Sequence, residues 1–383
     1  MAGLYIHIPF CASRCIYCGF YSTTLIDLRQ QYVDALCREM ELRGEWREVR
    51  GERNDSSAEI ETIYLGGGTP SQLTIPQLEQ LFIYINKVYA PPLYLEGAGG
   101  GSEVTIECNP DDVTDEFAEG LTILPVNRVS MGVQTFSDER LRFLHRRHTA
   151  AQAIEAVARL RKVGIRNISI DLMYGFPSET LDDWQHDIEA AIALNPEHLS
   201  AYCLMIEEGT PLYRMQTEPI NEELERQMYY TLIDRLEAAG YEHYEISNFA
   251  HPGYRSRHNS SYWKGIPYIG LGAAAHSYDV KTRSWNVSNI HQYIEGIENG
   301  QPRFEQEQLD DDTRYNDTIT TALRTKEGLN LALLSDKHRR YCLREAQRFI
   351  DGGLLQLSSD HHLCLTREGL FVSDMVMSEL IMI

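Results

Sequence analysis

Three cysteines stand within eight residues near the start of the chain, in Cys11-Ala-Ser-Arg-Cys15-Ile-Tyr-Cys18. Thiolates bind iron and zinc well, and three on one loop can hold a single metal centre. Three ligands are one short of the closed tetrahedral shell that a structural zinc takes. A four-iron, four-sulfur cluster on three cysteines leaves one iron open to a small molecule. Zinc stays open as an alternative if His7 supplies the fourth ligand, although His7 falls inside a strand-like run. A disulfide is not expected: the sequence starts at Met1 with no signal-peptide pattern and reads as cytoplasmic, where thiols stay reduced. The other cysteines, Cys37, Cys108, Cys203, Cys342 and Cys364, are scattered singly and read as small packing residues.

The elements that must position this loop alternate. Strand patterns fall at 3–8, 60–65, 103–108, 126–132, 167–172 and 197–203, and helical patterns at 27–43, 75–88, 114–120, 138–144, 150–163 and 180–194. The helix at 150–163 is expected to bury Ala153, Ile154, Val157 and Leu160. Such alternation means βαβ units, a parallel sheet and right-handed crossovers. The unusual residues fall at corresponding places. The cysteines follow the first strand, and Gly66-Gly67-Gly68-Thr69-Pro70 follows the second. Glu107 ends the third, Gln134 follows the fourth, and Asp171 and Tyr202 end the fifth and sixth. In parallel barrels the C-terminal strand ends form one face, and that face carries the site. Taken singly, the glycines could be a tight turn and Glu107 a surface ion-pair partner. Together they describe a pocket in which three glycines let a ligand approach the backbone.

Composition sets limits. The chain has 383 residues and a formal charge of −21. That charge repels phosphate backbones and argues against a nucleic-acid partner. No apolar run is long enough to cross a bilayer, so any membrane association is expected to be weak. Residues 50–58 and the glycine-rich 96–102 read as surface insertions; the latter lacks the Lys-Ser/Thr of a P-loop.

The segments Tyr5-Ile-His-Ile-Pro-Phe10, Gly66-Gly-Gly-Thr-Pro70, Glu107-Cys-Asn-Pro110, Gly132-Val-Gln-Thr-Phe136, Asp171-Leu-Met-Tyr-Gly-Phe-Pro177 and Gly270-Leu-Gly-Ala273, with the Cys-x3-Cys-x2-Cys spacing, resemble the radical S-adenosylmethionine (SAM) superfamily. The likeness is to its oxygen-independent coproporphyrinogen III oxidase-like group and covers nearly the whole chain. It implies an α/β fold, a partial (β/α)6 TIM-like barrel with a small C-terminal winged-helix-like domain. The expected divisions are 1–240 for the barrel, 241–309 for an extension closing it and 310–383 for the C-terminal domain. It implies a [4Fe-4S] cluster on Cys11, Cys15 and Cys18, whose reduced form splits SAM to a 5′-deoxyadenosyl radical. It also implies SAM contacts: Tyr5 lining the cluster loop, Tyr17 near adenine, Gly67, Gly68 and Thr69 at the methionyl end, and Glu107, Gln134, Arg146 and Asp171 on the methionyl and ribose parts.

Two departures matter within that group. The decarboxylating dehydrogenases carry a fourth cysteine two residues after the third; here that position is Phe20. They also carry a long arm before the first strand, which here begins at Gly3. Both departures, with His258-Asn259-Ser-Ser-Tyr262-Trp263, resemble the heme-chaperone members. The resemblance then implies heme as a further ligand, a heme-accepting partner protein, and a reductant such as flavodoxin or ferredoxin. His258 is the first candidate for an iron ligand, followed by His145, His148, His251, His276 and His291, with Arg255 and Arg257 placed to pair with propionates. Oligomeric state is not legible. The alternative is a radical SAM oxidoreductase of porphyrin synthesis.

Overall fold

The structure is a computed structural model that describes residues 2–49, 60–90 and 101–383. The insertion expected at 50–58 lies outside the described residues, as does that at 96–102 apart from Gly101 and Ser102. Six parallel strands form the scaffold: β1 (Ala2–Ile8), β2 (Ile60–Gly67), β3 (Glu103–Cys108), β4 (Arg128–Gln134), β5 (Asn167–Tyr174) and β6 (His198–Cys203). They pair in sequence order, as right-handed crossover units do. The sheet continues beyond both edges. Beside β6 lie β7 (Glu242–Glu245) and β8 (Asn248–Ala250). Beside β1 lies β9 (Tyr268–Leu271), followed outward by β10 (His276–Tyr278), β11 (Thr282–Asn286) and β12 (Phe304–Gln308). The result is a partial barrel within one twelve-stranded sheet.

Alternation sorts the side chains of each strand into two sets. Leu4, Ile6, Ile8, Ile63, Leu65, Val104, Ile106, Val129 and Met131 are buried in the main core with the surrounding helices. Tyr5, His7, Tyr64, Glu107, Arg128 and Asp171 occupy the opposite set and line the barrel interior. The helices start at fixed points because Thr74, Thr149 and Thr180 each close a reciprocal capping box. The helix Ala150–Lys162 buries Ala153, Ala156, Val157 and Leu160. Ile154, expected in that face, is instead 48% exposed. The i, i+3, i+4, i+7 stripe runs through alanine at 156, and hydrophobicity alone mis-set the phase.

Two strand ends differ from expectation. Both β5 and β6 stay paired through Tyr174 and Cys203, so Asp171 lies inside β5 and Tyr202 one residue short of the β6 end. The apolar Leu172 and Met173 carry the ladder on past the aspartate.

The interior is plugged at its N-terminal end by the short helix Arg257–Trp263. The Glu103 carboxylate, at the start of β3, accepts hydrogen bonds from the amides of Arg257 and His258, both at 3.0 Å. The chain after residue 308 builds its own core around Tyr315, Ile319, Cys342, Phe349 and Leu363. Its helices Asp311–Ala322 and Asp336–Asp351 pack with a sheet of β13 (Leu329–Asn330), β14 (Leu355–Leu357) and β15 (His362–Leu365), ordered β13-β15-β14. β14 and β15 form an antiparallel hairpin, and β13 is too short to leave a pattern in the sequence. Backbone bonds from Ile246 to Arg324 and from Lys326 to Tyr244 tie this part to the barrel.

Candidate active site at the barrel mouth

The cysteine loop leaves β1 through Pro9 and buried Phe10. Its ends are fastened together: the Cys11 amide donates to the Thr23 carbonyl at 2.9 Å, and Thr23 donates back to Pro9 at 2.7 Å. Its middle is held by Ile16, which donates to Leu144 and accepts from Leu212. All three cysteines are free thiols and half-buried. The Sγ of Cys11 lies 3.5 Å from Thr69 Oγ1, and the Sγ of Cys15 lies 3.5 Å from Arg146 Nη1. Burial pushes the Cys11 and Cys18 thiols up, so a bound cation is what would favour their thiolate form. His7 gives zinc no fourth ligand. Its ring is engaged at both nitrogens, with Tyr5 Oη and the Tyr21 carbonyl, each at 3.0 Å. Among the described residues no three His, Cys, Asp or Glu side chains converge on a single-ion position. A cubane cluster is held instead by thiols spread around it, and these three cysteines come from one loop.

The residues expected to hold SAM gather around this loop. Arg146 crosses the mouth, donating from Nη2 to Asn109 Oδ1 at 2.7 Å and to the Gly132 carbonyl. Its Nε is buried without a partner, a donor left for a ligand. Gln134 is buried at the end of β4 with φ of 71°, beyond a register shift. A non-glycine residue pays strain for that conformation, which is common at functional sites. Glu107 Oε1 accepts from Tyr64 at 2.8 Å and Oε2 from the Gly67 amide at 3.0 Å. Burial holds its carboxyl up at about 7, against the downward pull of those donors. Burial likewise pushes Asp171 up to about 6, while a Ser200 hydrogen bond, Arg128 and Arg146 lower it. Tyr17 packs beside Ile16, Leu144, Met173 and Phe176.

Three expectations change. A Cβ at Gly68 would stand 2.6 Å from the Pro9 carbonyl carbon, and one at Gly67, where φ is 111°, would stand 2.5 Å from the His7 ring. These glycines are required by the contact between β1 and β2, before any ligand is considered. Tyr5 does not line the cluster loop; it lies in the interior beneath it, 6.2 Å from the Tyr64 ring, and reaches the loop through His7. The His258 motif lies at the opposite end of the barrel from the cysteines. His258 is 1% exposed, with Nδ1 2.8 Å from Thr62 Oγ1 and Nε2 2.8 Å from Tyr262 Oη. Burial lowers its pKa to about 3, and no ring nitrogen is free for iron. Nor are its neighbouring arginines a free basic patch: Arg255 pairs with Glu242 and Glu327, and Arg257 donates to the Gly101 carbonyl.

Sequence reasoning left out Tyr64, Asn109, Arg128 and Ser200 as individual site residues. Asn109 had a signal, since it stands in the Glu107–Pro110 segment. The others look like ordinary strand residues until the register is known.

Similarity to known proteins agrees with this geometry. The model of the radical SAM superfamily matches residues 5–191, and that of the HemN C-terminal domain matches residues 309–372. The heme chaperone HemW of Bacillus subtilis is 36% identical, over 89% of this chain and 88% of its own. HemW of Mycobacterium tuberculosis is 33% identical over 99% and 94%. The chain belongs to the HemN/HemW branch of the radical SAM superfamily. A solved structure of this superfamily, coproporphyrinogen III oxidase (HemN) from Escherichia coli, superposes with a TM-score of 0.83 over 99% of this chain and 89% of its own, at 20% identity. That likeness establishes the fold. Among the described residues no helix is long and apolar enough to cross a membrane.

Proposed function

We propose that this protein is a heme chaperone, holding a [4Fe-4S] cluster on Cys11, Cys15 and Cys18, binding SAM across the barrel mouth, and passing heme to an acceptor protein. The observation that carries the cofactor part is the convergence of Cys15, Arg146, Gln134 and Glu107 on one face of the barrel. When bound, the cluster supplies one-electron chemistry and an open iron for the methionyl group of SAM. Arg146 offers an unused donor to a carboxylate, and Glu107 and Asp171 offer acceptors to an ammonium and to ribose hydroxyls.

Support for heme comes from relatives named for it at 33–36% identity over most of the chain. Phe20 adds to it: where the dehydrogenase pattern has a fourth cysteine, the loop presents an apolar ring that is 74% exposed. With His258 enclosed, the mouth itself offers His145 and His276 as iron ligands. Both are exposed, and neither ring makes a hydrogen bond among the described residues. His276 stacks on Trp285 with ring centroids 5.8 Å apart. The intact SAM pocket favours a second reading, a radical SAM oxidoreductase acting on a porphyrinogen and served by a flavodoxin- or ferredoxin-like reductant.

One anaerobic experiment separates them. Protein reconstituted with iron and sulfide is titrated with heme and, separately, incubated with SAM, reductant and coproporphyrinogen III. The chaperone reading expects a shifted Soret band and no protoporphyrinogen IX. Formation of protoporphyrinogen IX, or absence of heme binding, overturns it. Cys11→Ala, Cys15→Ala and Cys18→Ala should each lose the cluster chromophore, whereas Cys37→Ala and Cys342→Ala should keep it.

A further inference from the structure

Arg128 opens β4, points into the barrel interior and is 1% exposed. A buried guanidinium is ordinarily paired, because an unpaired charge in the interior is costly. The guanidinium of Arg128 makes neither an ion pair nor a hydrogen bond with any described residue, and its Nε is among the buried atoms without a partner. Directly above it on the same face of β4 stand Ser130 and Gly132, which leave room for its long side chain, with Gln134 beyond them at the strand end. Glu107 is the β3 neighbour of Ser130, and Asp171 is the β5 neighbour of Gly132. An unpaired cation thus lies beneath two half-buried carboxylates that belong to the mouth.

We propose that Arg128 is a positioning residue of the cofactor pocket: its fixed charge favours the anionic, hydrogen-bond-accepting form of Glu107 and Asp171 over the protonated one. The inference rests on the reading of this pocket as the SAM site. Burial favours protonation of both, repulsion by Asp171 adds to it at Glu107, and Arg128 opposes it at each of them. The other groups facing these carboxylates cannot replace it. Tyr64 donates to Glu107 without charge, and Ser200 does the same for Asp171. Arg146 acts on Asp171 from above and is committed to Asn109, Gly132 and Cys15. The groups facing Arg128 from other elements are Tyr64 on β2, His198 on β6, Tyr244 on β7 and His258 on the plug helix. Burial holds both histidines neutral and both phenols protonated, so none is a counter-ion. The charge of Arg128 is left to act upward.

The test is the pH dependence of SAM binding, measured by equilibrium dialysis on the reconstituted protein between pH 6 and 9. Wild type, Arg128→Met and Arg128→Lys are compared at matched iron content, with Glu107→Gln as the reference for loss of an acceptor. Arg128→Met should bind weakly at neutral pH and recover as pH rises. Its midpoint should move alkaline by about one unit, the effect of one charge over roughly 10 Å at an effective dielectric of about 20. Arg128→Lys, which keeps the charge, should stay nearer to wild type. Arg128→Gln replaces the methionine variant if the latter does not take up full iron. A wild-type profile in the neutral variants, or an equal loss at every pH, overturns the proposal. Failure of wild type to bind SAM, or unchanged binding by Glu107→Gln, overturns the pocket reading instead.

Discussion

Arg146 Nη1 lies 3.5 Å from the Sγ of Cys15, and the same guanidinium holds Asn109 and the Gly132 carbonyl. One side chain therefore joins the cysteine loop to β4 and to the turn after β3. Glycine at 132 makes this possible. A Cβ there would stand 3.1 Å from Arg146 Nη2 and 2.7 Å from Gln134 Nε2. Arg146→Met removes several charge-assisted hydrogen bonds at once, each worth roughly 1.5–3 kcal/mol. SAM affinity should fall by a factor of about 10 to 100, while iron content remains near that of wild type because all three thiols persist. Calorimetric titration together with iron analysis checks both halves. Arg146→Lys should not rescue, since a point charge cannot span Asn109, Gly132 and Cys15 together.

Gly68 offers a second test. From sequence alone, a larger residue there should block only the methionyl end of SAM. The structure expects more, because the new Cβ meets the backbone of Pro9, two residues before Cys11. Gly68→Ala should lose SAM binding and also lower iron uptake. Iron stoichiometry after reconstitution distinguishes the two outcomes. Full iron loading with SAM binding lost would restore the narrower steric reading.

The contrast between Glu107 and His258 shows what the sequence could and could not carry. Glu107 sits in a strand of period two, with Ile106 and Cys108 facing the core, so its inward direction follows from alternation alone. The six strands and their helices were legible for the same reason: each is a strong local pattern, bounded by glycine, proline or a capping threonine. The place of His258 depends on a long-range packing, the seating of a seven-residue helix against Gly3, Thr62 and Glu103, and no local pattern encodes it. Arg128 was illegible likewise. A basic residue opening a strand looks solvent-facing until the closure of the barrel interior is known.

Glu107 also predicts a pH dependence of stability in the metal-free protein. Its folded pKa, about 7, lies above the ordinary glutamate value near 4.3. Between those values the folded state holds a proton that the unfolded state has released. Stability is therefore lost as pH rises through this window, and the loss is complete above pH 7. Glu107→Gln removes the cost, so the Tm of the variant relative to wild type should increase from pH 5 to pH 7.5 and then level off. Thermal melts at constant ionic strength read it. A Tm difference independent of pH would mean that Glu107 is not held protonated.

His258 gives the prediction with two separable arms. Its ring bridges Thr62 and Tyr262 and stacks on Tyr64 with centroids 5.1 Å apart. Truncation to alanine leaves a cavity and strands two buried hydroxyls. A destabilisation of about 2–4 kcal/mol is expected from these losses. A structural role predicts lower stability with an unaltered heme Soret band, provided that the band is recorded well below the variant's melting temperature. A ligand role predicts the reverse, a changed Soret band regardless of stability. His276→Ala is the matched comparison. Its ring is exposed and stacks on Trp285 without a hydrogen bond, so its removal should leave the melting temperature within a degree or two. A Soret change in His276→Ala but not in His258→Ala would place heme at the mouth, on the same face as the cysteines. A change confined to His258→Ala would require the plug helix to open before heme binds.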